Sequence, residues 1–279
     1  MIYIIGSPYQ SLGDTIFLPL TTIDNSFIYN GSLSWVHGAH SFKFGGGVIR
    51  RQMAADQSSY PRGLYLLIPG FDAFIPGATG SAMGDLLTGH MTNVQRGNTL
   101  VSPSYRGWEP NFYIQDDWRA TSRLTLNLGV RYDVFTPYTE HRGQLSNFDP
   151  RQNLLISPTL PGTQKSGPSA GVDTDYTNIA PRVGFAFALT PTTVIRGGFG
   201  MSYWPGNYTS GALMKNAPFT YLYGCGLVSG ISGTGACQGF PTLSAGLPPP
   251  VFDITQATNP ANYAGTSINA TALDYRSSY

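Results

Sequence analysis

The chain has 279 residues, 16 basic and 15 acidic side chains, a net charge of +1 and only 11% charged residues, well under the usual share of about 25%. The near-balance and the lack of a basic block argue against nucleic acid as a partner, and no apolar run approaches the roughly 18 residues of a membrane helix. A soluble protein this poor in charge has little to keep it dispersed, whereas a barrel wall that meets hydrocarbon on one side needs few charges.

The start, MIYIIGSPYQSLGDT, has no basic n-region, no adequate apolar core and no small-residue cleavage site, so it does not read as a signal peptide, and an exported protein with this start is expected to be an internal fragment. Eight segments then read as strands: 26–35, 41–52, 62–68, 92–100, 111–118, 123–135, 182–189 and 194–204. The sixth is the clearest. Leu124, Leu126, Leu128, Val130, Tyr132 and Val134 fall on one face, and Thr125, Asn127, Gly129, Arg131 and Asp133 on the other, the period of a strand that is wet on one side only. The seventh sets Val183, Phe185, Phe187 and Leu189 against Arg182, Gly184, Ala186 and Ala188. The eighth sets Ile195, Phe199, Met201 and Tyr203 against Arg196, Gly198, Gly200 and Ser202. Between the third and fourth, Ser81-Ala-Met-Gly-Asp-Leu-Leu predicts a short capped helix.

The connections 36–40, 119–122 and 190–193 are tight, whereas 53–61, 101–110, 136–181 and everything after Trp204 are long. Short and long ends alternate, as in an up-and-down barrel with short periplasmic turns and long outer loops. Trp35 and Trp118 fall beside tight turns, Trp108 and Trp204 beside long loops, and none is mid-strand. That is the placement of aromatic girdles at two water–lipid interfaces. The expected fold is therefore all-β, an antiparallel up-and-down transmembrane β-barrel, partial, with about eight strands and long extracellular loops. Its parts are a partial outer loop (1–25), a partial wall (26–204) and a long extracellular loop (205–279). Asp116 and Asp117 point to opposite faces; which one meets the lumen depends on the register, and the sequence leaves both open.

Cys225 and Cys237 lie close together in a Gly/Ser/Thr-rich stretch. An oxidising compartment favours a disulfide between them, worth roughly 3 kcal/mol in the chain-entropy model; two unpaired thiols are the alternative. The histidines His37 and His40 have HxxH spacing but flank a turn with no acidic residue or cysteine nearby, which reads as solvated turn histidines more readily than as a metal pair. GISGT at 230–234 misses the nucleophile-elbow spacing, and GCGLVSG and GTGACQG each have one residue too many for a phosphate loop. No catalytic residue, metal or cofactor is expected.

GAHSFKFGGGVIRRQ (38–52), GDLLTGH (84–90), FYIQDDWRATSRLTLNLGVRYD (112–133) and NIAPRVGFAFALTPTTVIRGGFGMSYW (178–204) resemble the barrel of TonB-dependent outer-membrane transporters, and most closely the Oar-like group, with its carboxypeptidase-regulatory-like N-terminal domain. The resemblance implies a barrel of about 22 strands around an internal plug, in the outer membrane of a Gram-negative bacterium, with outer-membrane lipid, the plug, the TonB complex and an extracellular ligand as partners. The TonB box, the plug and a closing C-terminal strand are not in the given sequence, which is read as a fragment of such a barrel. Asn127, Arg131, Arg182 and Arg196, with Thr125, are the expected lumen-facing polar residues, meeting the plug, lining the path or pairing with carboxylates such as Asp133. Tyr208, Phe219, Tyr221 and Tyr223, aromatics among small residues, are the expected ligand-contact positions in the last loop. The competing readings are a secreted β-sandwich or adhesin-like binding protein, and an outer-membrane enzyme, for which no Ser/His or Asp/His cluster is found.

Overall fold

The computed structural model describes residues 1–4, 10–15, 17–58, 60–69, 79–99, 102–160, 163, 167–206, 214–216, 219–226, 241–246 and 268–279. In chain order the elements are β1 (Ile2–Ile4), β2 (Thr21–His37), β3 (His40–Asp56), β4 (Leu64–Leu67), α1 (Ala82–Thr88), β5 (Asn93–Thr99), β6 (Ser104–Arg119), β7 (Leu124–Asp133), β8 (Thr139–Glu140), β9 (Asn147–Asp149), β10 (Leu154–Ile156), β11 (Ile179–Thr190), β12 (Thr193–Gly200) and β13 (Thr220–Gly226).

The main sheet is an antiparallel meander, β2-β3-β6-β7-β11-β12, with β8 added to the far end of β6. Its strands follow sequence order and its edges, β2 and β12, are not joined to each other, so the barrel is partial. Three tight turns close one end. In the first, Gly38 takes a left-handed φ of +58°, the region a side chain resists. In the second, Thr121 Oγ1 accepts the N–H groups of Arg123 (3.2 Å) and Leu124 (3.0 Å), a side chain standing in for a backbone turn. The third, between β11 and β12, carries a register shift at Ala188/Thr190. Every long connection leaves from the other end.

Register shows why this sheet has two chemistries. Opposed residues share a face, and the rows Leu33–Phe44–Ile114–Val130–Pro181 and Trp35–Phe42–Asp116–Leu128–Val183–Phe199 run across the wall on one side. The apolar sets of the alternating segments, Leu124, Leu126, Leu128, Val130, Phe185, Phe187 and Phe199, lie on that side. Met201 continues them, its N–H bonding Pro181 O. Leu33 and Phe199 are 67% and 66% exposed, and no second sheet among the described residues covers them, as a sandwich would require. Glycines on this face are roofed by rings from the next strand: a side chain at Gly46 would come within 2.8 Å of Phe112, and one at Gly197 within 2.7 Å of Phe185. The ring thus supplies the contact area that the glycine lacks.

Two of the eight expected wall strands lie elsewhere, and among the described residues the wall has six full strands. Segments 62–68 and 92–100 contain β4 and β5, which join β1 and β13 in a separate sheet of order β1-β4-β5-β13, with β1 and β4 parallel. The reason is visible in burial. Leu64, Leu66 and Leu67 of β4 and Asn93, Val94 and Gln95 of β5 are buried irrespective of parity, so neither strand has the one wet side that a wall strand needs. β2 begins five residues before its expected start, and the stretch after Trp204 includes β13, paired along its length with β5.

The helix forms where expected, ending on Gly89 at φ +79°. Ser81 is its N-cap by position but makes no side-chain cap bond; instead Asp85 Oδ1 accepts the N–H (2.5 Å) and hydroxyl (2.8 Å) of Thr79. The loop sheet packs Ile4, Leu67, Ala82, Met91 and Val94 into one small core. A second core draws on the long connections and the far end of β6: Tyr105, Tyr138, Leu145, Ile156, Ala170, Val172 and Met214, with Met53, Leu273 and Tyr275 against it.

Candidate functional site

The polar face of the wall is the first candidate. By register Asn127 faces Asp117 and Gly184, Arg131 faces Tyr113, Arg182 faces Gly129 and Gly200, and Arg196 faces Ala186. Asn127, Arg131, Arg182 and Arg196 therefore share one face with Thr125, Lys43, Gln115 and Asp117. Asp117, not Asp116, is the carboxylate on this side. It accepts from Asn127 Nδ2 (2.5 Å) and Gln115 Nε2 (3.2 Å). Arg131 pairs with Asp133 at 2.9 Å, while Lys43, Arg182 and Arg196 have no ion pair among the described residues. Two depressions of 280 and 330 Å³ lie here and share Gln115, Gly129 and Arg182. Lys43, Tyr113 and Arg131 line the first, and Asn127, Gly184, Gly198 and Gly200 the second. They exist because small residues occupy the floor: Gly129, Gly184, Gly198 and Gly200 leave room that side chains would fill. Toward the long-loop end, Arg51 holds Glu109 (2.6 Å) and Ser26 (3.3 Å).

The apolar face carries the tryptophans. Trp108 and Trp118 share one side of β6 ten residues apart, roughly 34 Å along a strand and roughly 26 Å across a bilayer at the usual tilt, close to the apolar band of such barrels. Trp35 lies in the same row as Phe42 at the tight-turn end, and Trp204 follows β12, its backbone bridged to Ser278. HxxH is resolved differently from a metal pair. His40 Nδ1 hydrogen-bonds Asp116 Oδ2 (2.6 Å) and its ring stacks on Phe42 and Trp118, while His37 stacks on Trp35. Asp116 thus sits on the apolar face at its rim, where a carboxylate costs little and a histidine partner is at hand. Among the described residues no group of three metal-ligating side chains occurs.

The loops hold features that motif reading missed. Asn147 Nδ2 donates to Ala170 O (3.3 Å) and Thr271 O (2.9 Å), and its Oδ1 accepts from Phe148 N and Thr271 N. Asn216 bridges Ser146 O and Asn269 in the same manner. Burial alone would raise the Asp175 carboxyl, but hydrogen bonds from Thr177, Ser277 N and Arg276 outweigh it and hold the group at about 2. Together these tie residues 268–279 to the connection 134–178. The only sequence signal was a scatter of Asn and Asp in a Gly/Pro-rich region, which reads as ordinary turn chemistry. Burial raises the Tyr138 hydroxyl to about 12 and lowers the Lys215 ammonium. Of the expected ligand-contact residues, Phe219 is buried and its N–H bonds Asn216 O. Tyr221, Tyr223 and Cys225 have their backbones in β13, opposite Asn98, Arg96 and Val94. Tyr208 and Cys237 lie outside the described residues.

A meander with one half-exposed apolar face, tryptophans near both rims and a polar opposite face defines a membrane-spanning β-barrel wall. A family model described as an outer membrane beta barrel domain matches residues 2–279, and the chain belongs to that family. It is an outer-membrane protein of a Gram-negative bacterium. Comparison with curated proteins and with solved structures gives no match.

Proposed function

We propose that the chain forms part of the wall of a TonB-dependent outer-membrane transporter of the Oar-like group, a receptor and gated channel that performs no covalent chemistry. The observation that carries this reading is the polar face. Lys43, Arg131 and Arg182 surround adjoining depressions there, and such a surface suits a water-filled path or the docking of a plug. The four segments 38–52, 84–90, 112–133 and 178–204 support the finer family assignment by their resemblance. On this reading the long-loop end faces outward, the packed loops meet the extracellular ligand first, and a Cys225–Cys237 bridge shortens the last loop. Mass spectrometry of non-reduced peptides from membrane-extracted protein is expected to find that bridge; free thiols at both positions would remove it.

Energisation is tested in intact cells with Gln115→Cys, in a background carrying Cys225→Ser and Cys237→Ser. A membrane-impermeant maleimide is expected to label Gln115→Cys faster in energised cells than after an uncoupler. A rate independent of the proton gradient would overturn TonB coupling while leaving the barrel wall standing.

A further inference from the structure

We infer that the bilayer-facing side of the wall carries, at its long-loop end, a site for the phosphate of an anionic outer-leaflet lipid, built by Arg50 and Arg106. The inference rests on the outer-membrane location and on the outward orientation of the long loops.

Register sets two adjacent rows on this face. Phe27, Arg50 and Trp108 form the inner row, and Asn25, Gln52, Arg106 and Thr139 the outer one. Arg50 and Arg106 are therefore diagonal neighbours on adjacent strands, within reach of one ligand. Below them the face is apolar, with Tyr29, Val48 and Phe112, a surface for acyl chains. Trp108 marks the level of the interface, and Arg50 lies 5.1 Å from its ring centroid, which holds the guanidinium at that level.

Among the described residues neither arginine has an anionic partner. No ion pair among the described residues includes them, and the Nε of each is closed to solvent with no hydrogen-bond acceptor. The neighbouring carboxylates are elsewhere. Glu109 points to the polar face, where Arg51 holds it. Glu140 shares the face of Tyr105 and accepts the N–H groups of Ser104, Arg142 and Gln144. Asp56 shares this face but lies four residues beyond Gln52, roughly 13 Å along the strand, where Ser102 Oγ donates to it. Asp116 is at the opposite rim, paired with His40. Two guanidiniums with no carboxylate partner among the described residues, above an acyl-chain surface, match a phosphorylated headgroup, whose oxygens accept bidentate hydrogen bonds.

The test uses the intact protein extracted from outer membranes and measures lipid retention by native mass spectrometry. The probes are a bis-phosphorylated lipid A, the same glycolipid dephosphorylated, and inorganic phosphate. Wild type is expected to retain the phosphorylated glycolipid and not the dephosphorylated one. R50Q/R106Q should lose retention about tenfold or more, the effect of losing charge-assisted hydrogen bonds. R50K/R106K should fall between, and R151Q, an exposed loop arginine, should match wild type. Heat-modifiable gel migration identifies the folded variants, and the two single glutamine variants carry the test if the double variant does not fold. Equal retention in the folded glutamine variants, or retention of the dephosphorylated lipid, would overturn the site. Displacement by inorganic phosphate at matched concentration would show a free-anion site and overturn the lipid assignment.

Discussion

The wall and the loop assembly use the same apolar residue types in opposite ways. On the wall Phe185, Phe187 and Phe199 stand exposed, while in the loop core Tyr105 and Leu145 are 0% exposed. Polar groups invert in step. The wall turns Lys43, Asn127 and Arg182 to its open polar face, whereas the loops bury Asn147, Asn178 and Asp175 among backbone partners. The difference is one of solvent. Hydrocarbon completes the burial of the wall, so its apolar stripe needs no partner within the chain. Water surrounds the loops, so they must close a core of their own and satisfy each polar group inside it.

Substitutions that exchange these two logics test the comparison. The largest effect is expected in the loop core: Ile156→Ala, at 1% exposed, should cost about 2–5 kcal/mol of loop stability, read as faster proteolysis of 134–178 with the wall intact. Next comes Ile114→Arg, between Trp108 and Trp118 on the apolar face. It should cost about 2–4 kcal/mol of folding stability in vesicles, whereas Gln115→Arg, one residue along on the polar face, should be nearly neutral. A similar cost for both would break the two-face account. Asn147→Ala should release residues 268–279 at a cost of about 1–3 kcal/mol, since it strands backbone groups of Ala170, Phe148 and Thr271; hydrogen exchange on that segment reads it.

Acid should act on the same clamp. The Asp175 carboxyl lies at about 2, below its ordinary 3.8. A depressed folded value means that its contribution is complete above the ordinary value and is lost as pH falls from about 4 to about 2. Hydrogen exchange of residues 268–279 should accelerate through that window, and Asp175→Asn should remove the window. The smallest effect is expected from Arg182→Gln, which has no ion pair among the described residues: a stability change within about 0.5 kcal/mol, measured by unfolding in the same vesicles.

Much of the wall was legible because period-2 alternation is local. Leu124 to Asp133 displays both faces in ten residues, and the tight turns after His37, Arg119 and Thr190 stand out between such runs. The face of Asp116 was not legible, because it depends on pairing Phe42 with Asp116 and His40 with Trp118, a register set by residues far apart in sequence. The place of β4 is not legible because an apolar run such as LYLL does not say whether one side or both are covered, and that of β5 is not because NVQRGNT buries Asn93 and Gln95, polar residues that a sequence pattern assigns to a wet side. β13 was missed because TYLYGCG lacks alternation. The loop core joins Tyr105, Tyr138 and Met214, and the Asn147 clamp spans 124 residues; neither leaves a local pattern.

The central claim, that the two sides of this sheet meet different solvents, is tested most directly by spin labels placed singly at 111 to 118 along β6 in the intact, membrane-embedded protein. Collision rates with oxygen, which concentrates in hydrocarbon, and with a polar nickel chelate should alternate at every residue. The account predicts oxygen access at Phe112, Ile114 and Trp118 and chelate access at Asn111, Tyr113, Gln115 and Asp117. Low access to both reagents at Phe112, Ile114 and Trp118 would mean that a closed core covers the apolar face, and would contradict it.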